Sequence, residues 1–163
     1  MIKSCVIGLS KVGIIHCESL LKIKKTSLSY IFDKNYGLSK KLSEKFKCNT
    51  SRDFDSIIRN KDIELFVIAS PTTTHDFYIR RLIKYKKIIY CEKPITNNNK
   101  NLNKINSLIK KNKIKFCVGL NRRFSKEYVS LKKRINKKKI HTIQIISRSA
   151  NHNIDLSIRN GGL

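Results

Sequence analysis

The stretch VIGLSKVGIIHCESL, Val6–Leu20, decides how the chain begins to fold. An apolar run ends at Gly8, a second glycine follows at Gly13, and apolar residues then continue into a helix-like segment from Val12 to Lys22. Strand, glycine turn and helix in that order leave unpaired backbone N–H groups at a helix N-terminus, where the dipole also favours an anion. In a turn that binds a dinucleotide, the first glycine makes the tight bend and the second lets backbone approach the pyrophosphate. The third permits close packing of helix on strand. Gly8 and Gly13 fit the first and third roles, and Ser10 stands in the second, with Lys11 and Val12 beside it. Asp33 lies at the end of the next strand-like run, Ser27–Phe32, where a carboxylate accepts hydrogen bonds from the adenosine ribose. That carboxylate favours NAD over NADP, and the neighbouring Lys34 softens the preference.

Outward from this turn, strand-like and helix-like segments alternate. Lys3–Ile7 reads as a strand, Tyr36–Phe46 as a helix with Leu38, Leu42 and Phe46 on one face, and Phe54–Arg59 as a short helix after a small strand near Cys48. The run Glu64–Ser70 reads as a fully buried strand, Thr74–Lys84 as a helix, and Lys87–Pro94 as a strand stopped by its proline. A helix over Asn101–Asn112 and a strand over Ile114–Leu120 complete the series. Alternation at these lengths predicts an α/β Rossmann fold, a doubly wound parallel sheet with helices on both faces. The expected domains are a dinucleotide-binding domain over residues 1–120 and, over residues 121–163, a crossover into the incomplete start of an α+β second domain. The latter holds a basic helix from Ser125 to Asn136 and a long alternating strand, IHTIQIISRS.

Composition narrows the function classes. The 163 residues carry a formal net charge of +25, with 36 Lys and Arg against 11 Asp and Glu. Such a field attracts polyanions without specificity. The basic residues are spread along the whole chain, however, and none of the signatures of nucleic-acid modules accompanies them. Abundant Lys, Asn and Ile with no Trp matches drift in an AT-rich genome. Five cysteines form no C-x-x-C pair, and three lie in apolar runs, which predicts buried reduced thiols in the cytoplasm and no metal site. No segment approaches the ~20 apolar residues of a membrane span, and no secretory leader is evident at the N-terminus.

Two further segments carry a resemblance. ASPTTTHDFYIRRLIKYKKIIYCEKPIT, Ala69–Thr96, resembles the strand–loop–helix–strand of the glucose–fructose oxidoreductase and inositol dehydrogenase family, with its P-[TNP]-x-x-H loop and its strand ending in E-K-P. VGLNRRF, Val118–Phe124, is similar to that family's G-x-N-R-R-F segment, and GLSKVGIIH to its opening G-x-G-x-x-G-x-x-H. The resemblance implies an NAD(P)-dependent oxidoreductase acting on a CH–OH group of a cyclic polyol or sugar, as inositol 2-dehydrogenases do. It implies that Ser70, Pro71, Thr72, Thr73 and His75 line the cofactor and that Glu92 sits at its nicotinamide end. The same resemblance implies that Lys93 reaches the substrate hydroxyl, that Pro94 follows through a cis bond, and that Asn121 and Arg123 face the substrate. A lysine there suits the chemistry, because a cation beside the reacting oxygen stabilises the developing alkoxide and relays its proton.

The family's Asp-x-x-x-His acid/base pair follows an S-G-G segment, and here the similar segment RNGGL is the last stretch of the sequence. The expectation is therefore a cofactor-binding half, with a homo-oligomer through the C-terminal strand. The alternatives are an inactive, decayed or repurposed nucleotide-binding module and, below it, a basic nucleic-acid-associated protein.

Overall fold

The computed structural model describes residues 1–135 and the single positions 140, 142, 144 and 146. Met1–Gly119 forms one compact unit. Its elements are β1 (Ile2–Ile7), α1 (Lys11–Lys22), β2 (Thr26–Phe32), α2 (Tyr36–Phe46), β3 (Asn49–Thr50), α3 (Phe54–Arg59), β4 (Ile63–Ile68), α4 (His75–Lys84), β5 (Ile88–Cys91), α5 (Asn99–Lys111) and β6 (Phe116–Val118). All strand pairs are parallel, in the order β3-β2-β1-β4-β5-β6. This is a doubly wound Rossmann sheet, and the order reverses between β1 and β4, where such folds bind ligands beyond the carboxyl ends of the strands.

Alternation along the strands divides the core. Cys5 and Ile7 of β1 and Phe66 and Ile68 of β4 join Tyr78, Ile79 and Leu82 of α4 and Ile105 of α5 on one face. Val6 and Val67 face the other way, against Cys17 and Leu20 of α1 and Leu42 and Phe46 of α2. Burial of this apolar surface at about 25 cal/mol per Å² is what holds the helices to the sheet. All five cysteines are free thiols, three of them buried. Burial pushes the Cys17 and Cys91 thiols up to about 12 and the Cys48 thiol to about 11, so these groups stay protonated and inert at neutral pH.

Some boundaries differ from expectation. β5 stops at Cys91, so the E-K-P residues lie in the loop beyond it, although the Glu92 N–H still donates to the Ile68 carbonyl at 2.9 Å. Before α4, Thr72–Thr74 form a 3-10 turn that ends at His75. In the second unit, Asn121–Phe124 form a 3-10 turn and Lys126–Ile135 a helix, α6. The expected strand over residues 140–149 and the RNGGL segment lie outside the described residues, apart from the single positions named above. Among the described residues, no helix is long and apolar enough to cross a membrane.

Candidate cofactor site

The turn after β1 is built around its two glycines. Gly8 has φ +88°, a conformation that side chains disfavour, and a Cβ there would lie 2.5 Å from the backbone N and Cα of Ser70. The turns after β1 and β4 thus abut at the topological switch point. At Gly13 a Cβ would lie 1.8 Å from the Gly8 carbonyl oxygen, so this glycine lets α1 close onto the strand end. Ser10 sits between them at φ −68°, which any residue adopts, and its hydroxyl makes no capping bond to α1. Val12 and Lys11 are exposed in the first turn of α1, which contains no acidic residue. Its leading N–H groups have no partner within the helix. Uncapped donors, a lysine at a position where the dipole repels it, and glycines at both close approaches fit a bound pyrophosphate.

Asp33 follows β2 directly. Its Oδ2 accepts from the Leu9 N–H at 2.8 Å and its Oδ1 from the Asn35 N–H at 2.9 Å. The carboxylate is therefore tied to the glycine turn itself, with lone pairs remaining for ribose hydroxyls.

After β4, the Thr74 hydroxyl donates to the Pro71 carbonyl at 2.7 Å and lies 2.7 Å from the Ser70 hydroxyl, from which it can accept, which shapes the loop carrying Pro71, Thr72 and Thr73. His75 departs from expectation. It is 1% exposed, with Nε2 2.8 Å from the Ser70 carbonyl and Nδ1 2.9 Å from the Pro94 carbonyl. Instead of lining an open surface, the ring staples the loop after β4 to the loop after β5.

At the end of β5, the Glu92 carboxylate turns toward α1. Its Oε1 lies 2.8 Å from Nε2 of His16, and its Oε2 accepts from the Lys93 N–H at 3.2 Å. His16 packs edge-on to Tyr90 at 5.2 Å, and burial followed by the Glu92 charge pushes the Tyr90 hydroxyl above its ordinary value. A Cβ at Gly119 would meet Glu92 Oε1 and the Tyr90 hydroxyl at 2.9 Å, so β6 also closes on this cluster. Lys93 is exposed, and the Lys93–Pro94 bond is cis, as expected. Sequence reasoning did not single out His16, Tyr90 or Gly119. His16 stands in the quoted opening motif, and only the fold shows that it reaches Glu92, far away in sequence.

Asn121 and Arg123 belong to the second unit. Both are exposed in the 3-10 turn, with the Arg123 guanidinium 5.6 Å from the Phe124 ring centre.

Six parallel strands in this order, a glycine turn at the switch point and an acidic residue after β2 define a dinucleotide-binding α/β protein. The chain belongs to the oxidoreductase family with an NAD-binding Rossmann fold, whose model matches residues 2–120. It is 29% identical over 147 residues to myo-inositol 2-dehydrogenase of Thermotoga maritima, covering 88% of this chain and 44% of that protein. To inositol 2-dehydrogenase of Rhizobium meliloti it is 26% identical over 161 residues, covering 96% and 48%. The solved structure of apo scyllo-inositol dehydrogenase from Lactobacillus casei superposes with a TM-score of 0.78 at 25% identity, over 83% of this chain and 41% of that one. The chain spans about half the length of the curated relatives it matches.

Proposed function

We propose that this chain supplies the cofactor-holding part of an NAD-dependent oxidoreductase that oxidises a secondary alcohol of a cyclic polyol or sugar. The observation that carries this reading is the uncapped N-terminus of α1 at the switch point, framed by Gly8, Gly13 and the abutting Ser70 turn. The inositol dehydrogenases among the relatives support the substrate class. NAD, when bound, supplies the acceptor for the hydride leaving the alcohol carbon.

The chain's own residues then divide the work. Gly8, Ser10, Lys11, Val12 and Gly13 hold the pyrophosphate, and Asp33 holds the adenosine ribose. Ser70, Pro71, Thr72 and Thr73 form the wall toward the nicotinamide ribose, held in place by His75. Glu92 fixes the backbone of Lys93 through the 3.2 Å bond to its N–H. Lys93 steadies the developing alkoxide and passes on its proton, while Asn121 and Arg123 contact the substrate. The free buried thiols agree with a reducing compartment such as the cytoplasm.

Titration of the purified chain with NADH, followed by nicotinamide fluorescence, tests the reading. Saturable binding is expected, and weakening by Gly13→Ala should accompany it. No binding at millimolar NADH would sink the proposal.

A further inference from the structure

The net charge of +25 plays no part in the cofactor site, and the fold does not distribute it evenly. Because all six strands are parallel, every loop that enters a strand lies at one end of the sheet, opposite the cofactor turns. From β3 across to β6, an exposed lysine stands within two residues of the start of each strand: Lys47, Lys25, Lys3, Lys61, Lys86 and Lys115. Backbone bonds fix the row, since the Ile2 N–H donates to the Lys25 carbonyl and the Ile89 N–H to the Lys115 carbonyl, both at 2.9 Å. Lys87 is buried instead. Its Nζ donates to the Asn60 and Ile63 carbonyls at 2.8 and 2.7 Å, which ties the loop of Lys86 to that of Lys61. Among the described residues only Lys3 of the row forms an ion pair, with Asp62. Glu44 and Glu64 are the other carboxylates near the row, whereas Asp33, Asp53, Asp55, Asp76 and Glu92 lie at the opposite end.

Helix dipoles favour bases in a last turn, and that accounts for Lys22, Lys84, Lys110 and Lys111. It does not account for Lys47, Lys86 and Lys113, just beyond α2, α4 and α5. These hold φ of +52°, +52° and +53°, a conformation that favours glycine. We propose that this end of the sheet binds single-stranded nucleic acid through its phosphates, apart from the cofactor site. Neighbouring strands stand about 4.8 Å apart, so the row runs about 24 Å. That is the length of about seven phosphates at ~3.4 Å each. Tyr85 lies between Lys84 and Lys86, 44% exposed, and offers a ring on which a base can stack, a contact that a lipid headgroup does not make. Drift toward lysine would give the same composition but spread the binding over the whole surface, and that is how the two are separated.

The test follows the anisotropy of a labelled twelve-nucleotide oligouridylate titrated with the full chain between 50 and 200 mM salt. Binding is expected to weaken about 100-fold across that range, as release of about five phosphate counterions predicts. Replacing Lys47, Lys86 and Lys113 together by glycine suits their backbone, so the fold is kept. It should weaken binding about ten-fold or more and reduce the salt slope by about 2, with NADH affinity unchanged. The triple variant Lys40→Gln, Lys41→Gln, Lys100→Gln removes the same charge from helix surfaces away from the row and should lose less than about three-fold. Tyr85→Ala should cost about five-fold with the salt slope unchanged, and Tyr85→Phe should retain binding. Absent or salt-insensitive binding of the oligonucleotide overturns the inference, as does equal loss in the two triple variants. Unchanged binding in Tyr85→Ala, or tighter binding to phosphatidylserine vesicles than to the oligonucleotide, makes the row a membrane-type surface and overturns it too.

Discussion

The helices of this sheet begin in two different ways. α2, α3 and α5 each open on a residue whose side chain accepts a backbone N–H from the first turn: Asn35 from Leu38, Asp53 from Asp55 and Ser56, and Asn98 from Lys100 and Asn101. α1 and α4 open on Ser10 and Thr74, and neither side chain caps its helix. Each of the first three caps contributes about 1 kcal/mol. The uncapped pair are the helices that follow β1 and β4, the strands flanking the switch point. The caps sit on helices that are only scaffold, and the donors of α1 are left available where the pyrophosphate is proposed; α4 instead continues from the 3-10 turn, its His75 N–H donating to the Thr72 carbonyl. α1 is then held by its buried face and α4 by His75.

The largest test removes the close approach that positions α1. Gly13→Ala places a methyl 1.8 Å from the Gly8 carbonyl, and the urea unfolding midpoint should fall by the equivalent of about 3 kcal/mol, with NADH binding weakened. An unchanged midpoint would show that α1 does not depend on that contact. His75→Ala acts on α4. It removes the ring that bridges the Ser70 and Pro94 carbonyls, one of them by donating its N–H, and should cost about 2 kcal/mol by the same measurement, with partial recovery in His75→Gln.

Alkali probes the buried face of α1. The Cys17 thiol stands at about 12 in the folded chain against 9.0 in the unfolded one, so above pH 9 the unfolded chain loses a proton that the folded chain keeps. Stability should fall as pH rises, by about 1.4 kcal/mol per pH unit for this thiol. Urea midpoints between pH 8.5 and 10.5 should decline less steeply in Cys17→Ala; an identical slope would remove Cys17 from the account. The smallest effects, about 1 kcal/mol or less, sharpen the comparison most. Ser10→Asp caps α1, so it should stabilise the fold while weakening NADH about ten-fold by charge repulsion. Asp53→Ala removes the α3 cap, so it should destabilise the fold and leave NADH affinity unchanged. If both variants moved stability and affinity in the same direction, the division of helix starts would fail.

The alternation of buried strands and amphipathic helices made the doubly wound parallel sheet legible in the sequence, because chirality allows few ways to wind it. Gly8, Gly13 and Asp33 were legible for a related reason: each has a local backbone cause. His75 was not, since a histidine in a loop gives no sign that its two ring nitrogens will find carbonyls on two different loops. The contact of His16 with Glu92 and the stacking of the Arg52 guanidinium 4.3 Å from the Tyr36 ring centre were equally hidden. Each pair comes together only through strand pairing and helix crossover, which spacing along the chain does not record. The end of β5 was misjudged because Glu92 keeps a ladder bond after the strand has formally ended.

The cysteines have a practical consequence. Cys5, Cys17 and Cys91 are sealed in the core, Cys48 is half-buried, and Cys117 alone is exposed. A maleimide dye added under native conditions should therefore attach chiefly at Cys117. That position lines a groove of about 520 Å³ with His16 and Tyr90. The chain thus carries a built-in attachment point on β6, next to the residues that brace Glu92, and a change in the dye's surroundings on cofactor addition can be followed there without engineering a single residue.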